Sequence, residues 1–373
     1  MDNNEVAARK SAEYIGVANP YALAEVLKGK RINWRGVHDP RKLLEDALQH
    51  PYEQLFDPKH GSPLYPGLKL NSDTLTVEPS EAPQSGVGGT AAPLVGSSTV
   101  WVDPGDFFEF GTELNDPVQG ASPDCYFISA LSSVAWAQTY QIAQRTRSTD
   151  AAGHFVDEMA FYVSGAWKNF EDTEELPLLS PGNTFIYARS SEAGEIWPAV
   201  YEKAYAQYRG NTKDDHPDYG PLAYGDPVAA CVHLMGWTGY YYSNPSMTAD
   251  AIWQTVRANS ISCKTFNPMV AWTYGTAPSG VDYNNAHIVA NHAYSLIGWT
   301  YVSGQEYVVL RNPWGAHEAT LNVLGGSWTA WDAPYYGGPG EWRTINLPTT
   351  DGVFALRADT FKAAFAGFGV VKK

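Results

Sequence analysis

Three cysteines, Cys125, Cys231 and Cys263, occur in the 373-residue chain, and one of them stands where its sulfur could be a nucleophile. In Asp116-Pro-Val-Gln119-Gly120-Ala-Ser122-Pro123-Asp124-Cys125-Tyr126, Ser122 is a good helix N-cap and Pro123 suits the first helical position. Cys125 then falls in the first turn, where unsatisfied N–H groups and the helix dipole favour a thiolate. Gln119, outside that helix, can turn its amide toward the cysteine and form an oxyanion hole with the Cys125 backbone N–H. The ordinary fate of a free cysteine is burial as a small apolar residue. Cys231 and Cys263, which lack a helix start, are read that way.

A nucleophilic thiol needs a base, and the base needs an orienting partner. His292 opens the run Ala293-Tyr-Ser-Leu-Ile-Gly-Trp, and Asn312 closes Tyr307-Val-Val-Leu-Arg-Asn. Between them Val302-Ser303-Gly304-Gln305 reads as a hairpin turn. Folding about that turn brings His292 to within about three residues of Asn312, an offset of ~10 Å at most that a bulge can remove. An Asn carbonyl accepting from one imidazole N–H fixes the tautomer and leaves the other nitrogen for the thiol. Trp314, in Asn312-Pro-Trp-Gly, can cover that hydrogen bond against water.

The elements that must position these groups divide the chain into four stretches. Residues 1–75 read as a mostly helical segment of possible regulatory use, with helices around Tyr21–Leu27 and from Arg41 after the Asp39-Pro40 start signal. Residues 76–99 are rich in Pro, Gly and Ser and read as a linker. Residues 100–230 read as a helix-dominated lobe carrying Cys125, with helices through Phe127–Ala135 and Ile196–Tyr208. Residues 231–373 read as a β-rich lobe carrying His292 and Asn312. Helices followed by strands give an α+β class with a cleft between the halves.

Composition narrows the partners. A formal net charge of −15 argues against nucleic acid, whose phosphates reward Lys and Arg. No run approaches the roughly 18 apolar residues that cross a bilayer, and Met1–Lys30 lacks the apolar core of a secretory signal. A cytoplasmic location is expected, with export by a route lacking such a signal still compatible. Three cysteines, few and odd in number, suit a reducing compartment better than a disulfide framework. The sequence assigns no oligomeric state.

Taken together, the motifs resemble the calpain family of papain-like cysteine peptidases. Gln119-Gly120-x-x-x-Asp124-Cys125 looks like its nucleophile motif, His292-Ala-Tyr-Ser295 its histidine motif, and Leu310-Arg-Asn-Pro-Trp-Gly315 its asparagine motif. Glu195-Ile-Trp197 through Ala206 resembles a long helix of the first half, and Asp351-Gly352-x-Phe354 followed by Phe361 resembles the closing strand. The resemblance covers about residues 100–370. It implies a two-lobed papain-like protease core, with a helical first lobe, a β-rich second lobe and an N-terminal helical extension. Ser122-Pro123, Tyr126 and Asn291 depart from the family pattern.

The resemblance also implies calcium as a cofactor. First-lobe ligands would be the backbone carbonyls of Glu109 and Gly111 with the carboxylates of Asp116 and Glu195. A second, weaker site would use Glu318 and Asp351, with Val353 standing where the family has an acid. The activity expected is calcium-dependent endoproteolysis of protein or peptide substrates through a Cys125 thioester. A transamidase sharing the thioester and a catalytically weak interaction module are the alternatives. Carbohydrate processing, suggested by thirteen Trp and twenty-three Tyr, lacks a nameable carboxylate pair.

Overall fold

In the computed structural model, the described residues are 3–23, 69–70, 77–78, 98–109, 111–143, 146–151, 153–180, 184–332, 341–347 and 351–373. The expected helix from Arg41 and nearly all of the expected linker lie outside them. Asn3–Ala12 is helical, and Pro20–Leu23 forms one helical turn. Lys69–Leu70 pairs antiparallel with Val77–Glu78, a short β ladder across the boundary drawn between helical segment and linker.

The helix Cys125–Ala137 is the centre of the molecule. Every residue from Cys125 to Trp136 is buried, as expected of a helix that is apolar around its whole circumference. It packs on strands Lys264–Thr273 and Ala293–Val302 of an antiparallel sheet. Three buried polar contacts lock it there. Ser133 Oγ donates to the Met269 carbonyl at 2.7 Å, and Ser295 Oγ donates to the Ser129 carbonyl at 2.7 Å. The Arg311 guanidinium donates to Ser132 Oγ at 2.9 Å.

That sheet runs in the spatial order Val353–Arg357, Gln305–Arg311, Ala293–Val302, Lys264–Thr273, Phe365–Lys372, Thr238–Ser243. All six of these strands come from residues 238–372. A hairpin of Gly326–Asp332 with Glu341–Leu347 lies beside the sheet, and Trp328 fills the space between them.

Residues 100–230 combine their helices with strands that the sequence reading did not name. Besides the helices Cys125–Ala137 and Trp197–Gly210, they contain two three-stranded sheets. One pairs Thr146–Thr149, Phe155–Val163 and Ala166–Thr173; the other pairs Ser98–Val102, Leu176–Ser180 and Thr184–Phe185. Asp157, Met159, Phe161 and Val163 alternate inward along one strand. Asp157 and Asp172 are buried carboxyl groups that break the apolar alternation by which a strand is recognised. Partners make them tolerable: Arg147 Nε lies 3.7 Å from Asp157, and Lys203 Nζ lies 3.7 Å from Asp172.

Candidate active site

The nucleophile helix begins at Cys125, with Asp124 as its N-cap residue. The expectation that Ser122 caps the helix is corrected here, since Ser122 Oγ is buried without a hydrogen-bond partner. Pro123 therefore lies before the helix, and Cys125 occupies its first position. Its own N–H has no intrahelical acceptor and is available to a ligand.

His292 and Asn312 meet as the hairpin suggested, with the residual offset reduced by a register shift. Pairings Val302↔Gln305 and Gly298↔Val309 share one register, and Leu296↔Leu310 shifts by one at Ile297. Extrapolating the shifted register places Asn312 opposite Tyr294, two residues from His292 rather than three. The His292 loop spans the remainder. Asn291 adopts a positive φ of 51°, a conformation that Asn tolerates better than most residues. Thr273 holds the His292 backbone at both ends, accepting from its N–H at 3.0 Å through Oγ1 and donating from its own N–H to the His292 carbonyl at 3.0 Å.

The Asn312 side chain is fixed by three bonds. Nδ2 donates to the His317 carbonyl at 3.1 Å, which turns Oδ1 toward His292 Nε2 at 2.9 Å; Oδ1 also accepts from the Trp314 N–H at 3.1 Å. An Oδ1 acceptor requires Nε2 to carry the proton, so Nδ1 is the basic nitrogen. Nδ1 is buried and has no hydrogen-bond partner. The Trp314 ring packs at 4.8 Å from the imidazole and is itself buried, so it covers the His292–Asn312 bond. Cys125 Sγ accepts from the Ala293 N–H at 3.4 Å, which sets the sulfur against the residue following His292.

Gln119 also lies at this centre. Its Nε2 donates to the carbonyls of Ser122 and Val17, each at 2.7 Å. The loop bearing it is clamped from the asparagine side. Arg311, next to Asn312 and buried, donates to the carbonyls of Asn115 at 2.8 Å and Pro117 at 2.9 Å, and Gln119 N–H donates to the Pro313 carbonyl at 2.8 Å. Sequence reading left Arg311 without a role, because its partners lie almost two hundred residues earlier. Gly120 packs against the backbone of Tyr187, where a Cβ would lie 2.1 Å from the carbonyl carbon.

Burial dominates the electrostatics. It pushes the Cys125 thiol up to about 12 and the His292 imidazole down to about 3, the Asn312 hydrogen bond opposing the second shift. Behind the nucleophile, burial raises Asp124 to about 7 and Glu202 well above its usual range. The two buried carboxyls oppose each other's ionisation, which adds to the effect of burial on Glu202. Cys231 is fully buried and Cys263 partly so, both with raised thiol pKa values from desolvation.

The candidate calcium ligands fall into two groups. Asp116 and Glu195 are both buried and repel each other, and Asp116 is raised to about 7 by desolvation first and by Glu195 second. Asp116 Oδ2 accepts from Glu113 N–H and from Trp197 Nε1 at 3.0 Å, and Glu195 accepts from Glu109 N–H at 3.1 Å and Ser190 Oγ at 2.7 Å. Gly111 has a φ of 117°, open to glycine and little else. In the second group, Glu318 Oε1 accepts from Gly352 N–H at 2.7 Å, one residue from Asp351, whose own Oδ1 accepts from Val353 N–H at 3.0 Å. Val353 points into the core and offers no oxygen in place of an acid.

With this geometry in hand, comparison with known proteins is informative. A family model described as calpain family cysteine protease matches residues 97–372. A thiol protease of Porphyromonas gingivalis is 28% identical over 260 residues, covering 66% of this chain and 53% of that protein. Calpain-13 of Rattus norvegicus is 28% identical over 298 residues, covering 75% and 42%. The calpain-type cysteine protease DEK1 of Zea mays is 24% identical over 335 residues, covering 86% and 14%. The chain thus spans about half the length of the first of these relatives and less of the others.

Proposed function

Because the chain belongs to the calpain family of cysteine proteases, we propose that it is a cysteine endopeptidase with Cys125 as nucleophile, His292 as base and Asn312 as the residue that orients the base. The observation that carries the reading is a pair of contacts, one between base and orienter and one that sets the sulfur against the residue next to the base. His292 Nε2 is committed to Asn312 Oδ1 at 2.9 Å, while the sulfur at the helix start meets the Ala293 N–H at 3.4 Å. Nδ1 is thereby left as the proton acceptor on the nucleophile side. In the wider architecture, residues 100–230 and 231–373 act as the two lobes of a papain-like core. Arg311 is the positioning residue between the Gln119 loop and the asparagine strand.

The chemistry follows from the residues. Nδ1 of His292 takes the Cys125 proton, and the thiolate attacks the scissile carbonyl carbon. Negative charge develops on that carbonyl oxygen, where the Cys125 N–H and Gln119 Nε2 can donate to it. The imidazolium returns its proton to the leaving amine as the C–N bond breaks. Water then attacks the thioester with His292 again as base, releasing the acid and restoring the thiol. Labelling with an epoxide-type thiol inhibitor followed by peptide mapping tests this reading. Modification at Cys125, with cleavage of an unbiased peptide library lost in parallel, is expected. Cleavage surviving complete Cys125 modification would sink it.

Calcium is proposed as the regulator, held by Asp116 and Glu195 with the carbonyls of Glu109 and Gly111. Calcium takes 6–8 oxygen ligands, so water would complete such a set. The fit rests on two buried carboxyl groups, one of which, Asp116, is raised by burial and then by the charge of Glu195, a conflict that a cation relieves. Asp116 lies three residues from Gln119, so order at the first bears on the aim of the second. Glu318 and Asp351 would form the weaker second site.

The sign of the pH dependence is defined. The folded Asp116 pKa, about 7, lies above its ordinary 3.8, so its contribution to stability is present at low pH and lost as pH rises from about 4 to 7. Bound calcium offsets that loss and competes with the proton. Calcium should therefore stabilise the protein more at pH 8 than at pH 5. At about a hundredfold above Kd, Tm should rise by roughly 3–8 °C at pH 8. Asp116→Asn combined with Glu195→Gln should abolish both the shift and the activation. Equal activity and equal Tm in excess chelator and in calcium would exclude the switch.

A further inference from the structure

Between the N-terminal helix and Pro20, the chain lies across the nucleophile. Ile15 pairs with Gly225 as an antiparallel bridge, N–H to carbonyl at 3.0 Å in both directions. Gly16 N–H donates to the Asn291 carbonyl at 3.2 Å, and Asn291 Nδ2 donates to the Gly16 carbonyl at 3.3 Å. The Val17 carbonyl accepts from Gln119 Nε2 at 2.7 Å, and the Val17 N–H is near enough to the Cys125 sulfur to oppose the burial that raises its thiol pKa. Asn19 N–H donates to the Gly120 carbonyl at 3.2 Å, and its Nδ2 donates to the Gln119 carbonyl at 2.8 Å.

Both ends of this segment are anchored. Upstream, Ala8 and Ala12 of the helix are buried, Trp272 Nε1 donates to Ser11 Oγ at 2.9 Å, and the Arg9 guanidinium lies over the Tyr241 ring at 4.4 Å. Downstream, Tyr21 meets Trp314 edge-on at 6.3 Å. The consequence is that Cys125, His292 and Asn312 are all 0% exposed, although the proposed reaction requires a peptide to reach them.

We propose that Ile15–Asn19 is a resident pseudosubstrate. It is an extended peptide of this chain laid along the cleft, which excludes other peptides and displays what the cleft is shaped to take, with glycine at the Gly16 position. The glycine requirement is steric. A Cβ on Gly16 would lie 2.4 Å from the Pro123 carbonyl oxygen and 3.1 Å from the Tyr224 Cα, backbone atoms that no rotamer change can move. Main-chain pairing at Gly225 and Asn291 then supplies affinity that is independent of side chains, as in strand addition.

The arrangement also accounts for an intact segment. Asn291 holds the Gly16 carbonyl, while Gln119 Nε2 is divided between the Val17 and Ser122 carbonyls, so the segment is fixed in place on both sides of the Gly16–Val17 bond. The thiol and imidazole, sealed from water, are held in their neutral forms. The proposal rests on the peptidase reading for what the cleft does, and not for what occupies it.

The test is alkylation of the full-length protein by iodoacetamide, read at each cysteine by mass spectrometry. Gly16→Arg should raise the Cys125 rate about tenfold or more over wild type, the scale of a 1–3 kcal/mol steric penalty on the seated segment. Cys231, fully buried elsewhere, should stay unreactive and report an intact core. If Gly16→Arg exposes Cys231 as well, Gly16→Ala carries the comparison. A peptide spanning Glu13–Leu23 at about 1 mM should protect Cys125 again in the variant, and the same peptide carrying Gly16→Ala should not. Equal Cys125 rates in wild type and variants, or no protection by the unaltered peptide, overturns the pseudosubstrate. Alkylation needs no hydrolysis, so the expected protection pattern together with no peptide cleavage by Gly16→Arg, in which the thiol is open, would sink the peptidase reading alone.

Discussion

Replacing Cys125 by Ala is expected to reduce peptidase activity by about 10⁵–10⁶, the scale seen when a catalytic nucleophile is deleted. No neighbouring group can substitute for it. Cys231 is fully buried on the helix Pro227–Met235, and Cys263, whose carbonyl accepts from Trp299 N–H, packs with the Trp328 cluster. Cys231→Ala and Cys263→Ala should therefore retain most of the activity. The Cys125→Ala protein should remain folded, because the site is a buried helix start that accepts a small apolar side chain, at a cost of about 1 kcal/mol. Far-UV circular dichroism, Tm and turnover of a peptide substrate read the three variants together. Turnover by Cys125→Ala at an appreciable fraction of the wild-type rate would remove Cys125 from the mechanism.

Gln119→Ala carries the second large effect, and two opposing changes should appear in one variant. Loss of one oxyanion donor should lower kcat by about 10²–10³. The same amide anchors the Val17 carbonyl at 2.7 Å, so its loss should loosen the segment over the cleft. A net hydrogen bond of about 0.5–1.5 kcal/mol corresponds to a roughly two- to tenfold faster alkylation of Cys125. A slower enzyme with a more accessible thiol is a signature that simple unfolding cannot produce, provided Cys231 stays protected. Gln119→Glu should not rescue turnover, since a carboxylate would oppose the developing negative charge. Unchanged kcat in Gln119→Ala would exclude Gln119 from the oxyanion hole. Asn312→Ala should be milder than His292→Ala, because it removes the orientation of the base and leaves the base itself.

How these groups came together divides along the range of the interactions. The sequence by itself determined the helix that begins at the nucleophile and the hairpin that carries His292 and Asn312. Both are set within about twenty residues, by a proline, an apolar helix and a four-residue turn. Even there, the cap fell on Asp124 rather than Ser122, and a register shift at Ile297 set the final distance between base and orienter. Neither has a separate sequence signal, because each depends on what the neighbouring backbone allows.

The tertiary structure decided the rest. The sheets of residues 146–185 escaped the sequence reading because their inward positions include Asp157 and Asp172. Their burial is offset by Arg147 beside Asp157 and by Gln207 and Lys203 beside Asp172, and the last two come from a helix some thirty residues on. Arg311 acquired its role through carbonyls at Asn115 and Pro117, which only the folded chain brings near. The covering of the nucleophile depends on Gly16 meeting Asn291, 275 residues away. Backbone hydrogen bonds of this kind leave almost no trace in residue type, apart from the one glycine whose missing Cβ lets the chain pass. Local chemistry therefore named the residues capable of reaction, and long-range packing determined which of them are sealed, clamped or aimed.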